Sequence, residues 1–212
     1  RLFAMNYALY LLTDSNTGML ITFCGIFGGA VVHYWKGIKG KKWIYVAGAA
    51  VFLFCVGFSI LAANKEFAKP DYYIFQFNNP LIARVEAHLN GRIRDLYFGS
   101  IRCEGITDTW SLFSQPENDY YFDMGWVKLF YRYGVVPGIL YCAACAALLW
   151  QFYRKKDAFG LVIFTVLAVY SVMEAHLFSV YIGRNFLLMM MGSYFLPSSG
   201  CQPAAIEISP KK

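Results

Sequence analysis

Residues 86–102, EAHLNGRIRDLYFGSIR, carry four basic side chains in seventeen positions: His88, Arg92, Arg94 and Arg102. Arginine's planar fork meets phosphate oxygens two at a time and keeps its proton at cell pH. The cluster therefore suits an anion. Further along, SVMEAHLFSVYIGRNFLLMMMG (171–192) supplies Glu174, His176, Arg184 and Asn185. Glu174, His176 and His88 are candidate general bases for a hydroxyl nucleophile. Trp110, Tyr120, Tyr121 and Trp126 offer flat faces on which sugar rings stack, or interface anchors of the usual kind. Structural roles compete at each position. Arg92 can pair with Asp95, Asp123 can N-cap the helix that follows it, and Asn185 can cap the last helix. Arg92 and Arg94 diverge if their segment is helical and face one side if it is extended.

The elements that position these groups are greasy. The chain of 212 residues is 58% hydrophobic, 19% aromatic and only 15% charged, where soluble domains carry about a quarter charged residues. WIYVAGAAVFLFCVGFSILAA (43–63) and YGVVPGILYCAACAALLWQFY (133–153) are uncharged runs of 21 residues, long enough to cross a hydrocarbon core of about 30 Å. Shorter apolar runs occupy 1–12, 17–35, 158–175 and 184–197. These runs predict an all-α, polytopic transmembrane bundle. Its first block is 1–63, with the first helix truncated, and its second is 133–197. Between them, 64–132 is a long extracytoplasmic loop with interfacial helices, and 198–212 is a disordered cytoplasmic tail. The chain opens at Arg1 inside an apolar segment and without the ordered parts of a signal peptide, so it reads as the C-terminal part of a longer protein.

Orientation follows from the short loops KGIKGKK (36–42) and RKKD (154–157), which hold seven Lys/Arg and one acid. Basic short loops mark the cytoplasmic side, and an even number of crossings separates the two. The intervening segment 64–123 mixes six Lys/Arg with nine Asp/Glu, as a folded, solvated cap does. Within it, PLIARVEAHL (80–89) places Leu81, Ile82, Val85 and Leu89 at helical spacing, which predicts a helix lying on the membrane. DMGWVKLFYRYG (123–134) predicts an amphipathic interfacial helix with Lys128 and Arg132 on its wet side. Gly134 and Pro137 allow a bend into the next span. Cys142 and Cys145 have CxxC spacing, but on an apolar helix without His or acidic neighbours they read as small hydrophobes. No metal, cofactor or nucleic acid is expected.

The ordered set LYLLTDSNTG, LNGRI, GITDTWSLFSQ, DMGWVKLFYRYGVVPGILY and EAHLFSVYIGRNFLL resembles the C-terminal half of the O-antigen polymerase (Wzy-like) family of bacterial capsule and exopolysaccharide assembly. The likeness spans about residues 5–195 and is strongest to the Gram-positive kind. It implies a metal-free, GT-C-like glycosyltransferase in the plasma membrane that joins oligosaccharide repeat units linked to undecaprenyl diphosphate. Chain-length regulator and flippase proteins would be its partners, besides the lipid bilayer. By the same resemblance Arg92 matches the family's arginine after a glycine, Asp123 an acid opening the next segment, Glu174 an acid closing the penultimate span and Asn185 an asparagine before the last helix. Met124, Ser114 and Asn16 depart from the residues usual in the family. Taken with the chemistry of the residues themselves, this reading assigns catalysis to Arg92, Glu174 and His176, and substrate binding to Arg94, Asp123, Arg184, Asn185, His88 and Trp126. Competing readings are an O-antigen ligase-type transfer, a lipid-linked oligosaccharide transporter and a non-enzymatic membrane subunit. A transporter predicts charge inside the spans and internal repeats; the spans hold almost no charge and the sequence shows no repeat.

Overall fold

A computed structural model of the chain describes residues 25–32, 34, 41–64, 67–68, 70–71, 76–89, 91–98, 110–114, 123–173 and 186–196. These are mostly helical. Residues 25–32 are helical. Helix α1 is Lys42–Ala62 and α5 is Val135–Lys155, each of 21 residues. Both are long and apolar enough to cross a membrane, and in lipid a helix is the fold that satisfies every backbone N–H and C=O within the segment. Helix α6, Ala158–Met173, is equally apolar but has 16 residues. Helix α7 is Phe186–Phe195, of 10 residues, within the last expected span.

Hydropathy does not say which side of α1 faces inward, since nearly all of it is apolar. Its buried residues are Tyr45, Gly48, Phe52, Cys55, Ser59 and Ala62, a 3-4-3-4-3 spacing that follows one stripe of the helix. Most of them are small, as at membrane helix contacts where backbones approach closely. A Cβ on Gly48 would stand 2.7 Å from Leu161 Cδ1 of α6. Phe52 forms the centre, 5.6 Å from both the Trp126 and Phe164 rings. Aromatic pairs in tilted or edge-on arrangements contribute roughly 0.5–1.5 kcal/mol each beyond their buried area.

The Tyr45 and Tyr153 rings meet edge-on at 5.5 Å, so the lysine-rich start of α1 and the basic end of α5 share one end of the bundle. There Lys156 adopts a left-handed conformation (φ 52°) that turns the chain. Asp157 then caps α6, its Oδ1 accepting the Gly160 N–H at 2.9 Å. Its other oxygen accepts the Tyr194 hydroxyl, which brings the end of α7 to the same place.

Helix α4, Gly125–Tyr133, departs from the expected interfacial helix. Gly125, Trp126, Val127, Leu129, Phe130 and Tyr131 are all buried, because α4 packs against α1, α5 and α6 rather than lying on the surface. Lys128 and Arg132 are only half-buried and keep the expected wetter side. A minimal antiparallel strand pair, Pro70–Asp71 (β1) with Gln76–Phe77 (β2), adds to the all-α expectation.

Candidate functional site

At the end of the bundle away from the basic residues, two short helices, within 80–89 and 92–98, pack as a hairpin. The Asn79 side-chain oxygen accepts the Leu81 N–H at 3.0 Å, starting α2 at Pro80–Leu89. Ile82 is fully buried, with Val85 and Leu89 packed on the core, while Leu81 turns outward. The chain reverses at Gly91 (φ 88°), a left-handed conformation that glycine adopts without strain. Helix α3, Arg92–Phe98, follows. Glu86 reaches from α2 and accepts the N–H groups of Ile93 at 2.9 Å and Arg94 at 2.8 Å, two donors that a helix start leaves without intrahelical partners. Ile93, Leu96 and Tyr97 bury the inner face. The Tyr97 hydroxyl donates to the Ala62 carbonyl at 2.7 Å, fastening the hairpin to the end of α1.

Because 92–98 is helical, Arg92 and Arg94 diverge. Arg94 is exposed and folds back over Gly91. Arg92 turns inward and pairs with Asp123 across 31 residues of sequence, not with Asp95 on its own helix. Both side chains are largely but not wholly covered, at 24% and 16% exposure. Asp123 therefore does not cap α4; the N-cap residue is Met124, without a side-chain cap. His88 is exposed on α2, its Nδ1–H donating to the Arg84 carbonyl at 2.9 Å, which aims Nε2 away from the backbone.

Trp126 sits elsewhere. Expected to bind substrate, it is fully buried, with its indole N–H donating to the Ala168 carbonyl at 3.0 Å. Its ring packs on Phe52 and Tyr141, so no face is open to a sugar. Trp110 stacks on Phe130 at 5.4 Å. Glu174, His176, Arg184 and Asn185, with Arg102, Tyr120 and Tyr121, lie outside the described residues. The described part of α6 reaches Met173. The described part of the site is thus the Arg92–Asp123 pair, with His88 and Arg94 on the outer face of the same hairpin.

Burial raises the Glu86 pKa above the ordinary carboxylate value, and the N–H groups of Arg94 and Ile93 offset part of that rise. A carboxyl whose pKa is higher folded than unfolded contributes stability below its unfolded pKa and loses it as pH rises through the folded one. Hairpin stability should accordingly decline through the weakly acidic range, and Glu86→Gln should flatten that dependence in pH-resolved hydrogen exchange. Glu86→Ala removes both acceptors and should destabilise the hairpin by about 1–2 kcal/mol. Glu86, Asn79 and Tyr97 are positioning residues that sequence patterns do not reveal; Glu86 stands seven and eight residues before the N–H groups it accepts, spacings that no local helix rule connects.

Comparison of the chain with protein-family profiles, curated proteins and solved structures found no match.

Proposed function

We propose that this chain belongs to a multi-pass membrane polysaccharide polymerase that extends a lipid-diphosphate-linked glycan on the outer face of the plasma membrane. The observation that carries the reading is the Arg92–Asp123 pair. It is a partly exposed arginine held by a distant carboxylate, at the end of the bundle opposite the basic loops. The resemblance of the ordered motifs supports it, as do the two apolar 21-residue helices. With the basic loops cytoplasmic, the hairpin lies outside the cell, where lipid-linked repeat units would be joined.

In the proposed reaction a repeat-unit hydroxyl bonds to the anomeric carbon of the growing chain. The bond to the lipid diphosphate breaks, and the hydroxyl proton passes to a base, for which Glu174, His176 and His88 are the candidates. Arg92 meets the diphosphate as its charge develops, and Asp123 orients the guanidinium. Arg94, Arg184 and Asn185 complete the proposed substrate contacts.

The test is polymer length in the producing bacterium. Arg92→Ala should leave single repeat units while the protein remains in the membrane at its normal amount. Arg92→Lys keeps the charge but loses the fork, and should slow polymerisation about a hundredfold, the scale of a lost donor at a developing anion. Long polymer in both variants would end the proposal, because a pair that serves only folding leaves the product unchanged wherever the protein accumulates.

A further inference from the structure

Between α1 and α5, at the end that carries the basic loops, a groove of about 510 Å³ opens to the side of the bundle. Tyr45 and Val46 on one wall face Ala146, Trp150 and Tyr153 on the other, and Lys42 stands at the rim. Val46 is 67% exposed and Trp150 59%, so the outer parts of both walls are surface, while the buried Tyr45 and Phe52 close the groove on its inner side. Over their most apolar windows α1 and α5 bury only 28% and 33%, whereas the core helix of a soluble protein is mostly buried.

Lys42 lines the groove's mouth, and basic residues predominate at this end of the bundle. Lys41 and Lys42 begin α1, and Arg154, Lys155 and Lys156 close α5 and its turn, all of them exposed. Asp157 lies at the same end, engaged by the Tyr194 hydroxyl and the Gly160 N–H, and the Lys155 ammonium stands over the Tyr194 ring at 4.4 Å. Among the described residues no carboxylate forms an ion pair with Lys42 or Arg154. An apolar slot walled by Tyr and Trp, with cations at its opening, matches a lipid whose chain is apolar and whose headgroup is an anion. A second helix in the slot would leave the basic rim unneutralised.

We propose that this groove holds an acyl chain of an anionic glycerophospholipid, its headgroup phosphate meeting Lys42 and the basic residues that end α5. The lipid comes from whichever leaflet contains the basic end. The inference rests on α1 and α5 crossing a bilayer, and is independent of the reaction at Arg92.

The purified protein in neutral detergent is titrated with phosphatidylglycerol or phosphatidylcholine, and bound lipid is counted by native mass spectrometry. Phosphatidylglycerol should bind in preference, near one copy per chain. Lys42→Gln should weaken it about fivefold, the scale for one cation at a lipid surface, without changing the weaker phosphatidylcholine binding. Ala146→Trp, at an exposed position on the wall, should remove the bound phosphatidylglycerol; Val46→Trp, also exposed, fills the slot from the facing helix if the first variant misfolds. Equal binding of the two lipids, or a bound lipid that survives both tryptophans, overturns the proposal. So does an Ala146→Cys variant that cross-links readily to a second copy, since the slot is then a contact between chains. Release of the protein from membranes by alkaline carbonate removes the premise.

Discussion

Gly134→Ala is expected to lower stability by about 3 kcal/mol, the sum of two penalties at one atom. Gly134 has φ 96° and ψ 165°, a region populated almost only by glycine, where a side chain is strained by roughly 1–3 kcal/mol. The added Cβ would also stand 2.6 Å from the Phe113 carbonyl carbon and 2.7 Å from the Leu112 oxygen. These are backbone atoms, which cannot swing aside as a flexible side chain does. Relief would pull segment 110–114 away from the start of α5, where the Val135 and Val136 N–H groups donate to Ser111 and Leu112 at 2.9 and 3.0 Å. Two helix-start donors would then lose their acceptors. Gly57→Ala is the control, since nothing lies within 4 Å of its added Cβ. In an interior helical turn that change should be neutral or stabilising by up to about 1 kcal/mol. Thermal or denaturant unfolding in mild detergent separates the two. Equal effects at both glycines would mean that the turn geometry at Gly134 is not the constraint described.

The second large effect is at Trp126. Trp126→Ala should destabilise the fold by about 3 kcal/mol, through the void it opens between α1, α4 and α6. In a bilayer, water exclusion contributes little between helices and packing supplies most of the association. The void therefore remains costly even when lipid is the surrounding solvent, because the Phe52 and Tyr141 rings lose the atoms they touch. Trp126→Phe keeps most of the ring and removes the N–H donor to Ala168. It should cost about 1 kcal/mol, the typical net value of one hydrogen bond. Unfolding midpoints of the two variants measure the difference. If Trp126→Ala unfolds like the parent protein yet loses activity, the residue serves substrate and not packing.

Both positions show where sequence patterns stop. DMGWVKLFYRYG has an amphipathic spacing, and the helix forms as that spacing predicts. The spacing cannot say whether the apolar side meets lipid headgroups or other helices, and Val127 and Tyr131 are buried on what periodicity makes a flank. In α2 the same rule grouped Leu81 with Ile82, Val85 and Leu89. Packing accepts Ile82, Val85 and Leu89 and leaves Leu81 59% exposed, since neighbours in sequence lie about 100° apart around a helix. Arg92 was legible as a residue of interest from its type and its polar neighbourhood. Its partner was not, because Asp95 is three residues away and Asp123 thirty-one. Only the docking of the hairpin onto α1, through Tyr97 and Ala62, brings Asp123 into reach.

The sequence by itself determined the long apolar helices, since an uncharged run of about 20 residues that avoids water must satisfy its own backbone. The runs at 43–63 and 133–153 reappear as Lys42–Ala62 and Val135–Lys155. It also determined the helical stretch 80–89 and the break at Gly134, where periodicity and glycine chemistry act locally. The tertiary structure decided which stripe of each apolar helix turns inward, because small residues such as Gly48 and Cys55 mark a contact only once a partner helix is opposite them. It decided that Asp123 holds Arg92 instead of capping α4, and that Trp126 packs rather than stacks on a ligand. Charge and shape at those positions are set by groups distant along the chain, and only the folded arrangement fixes those distances.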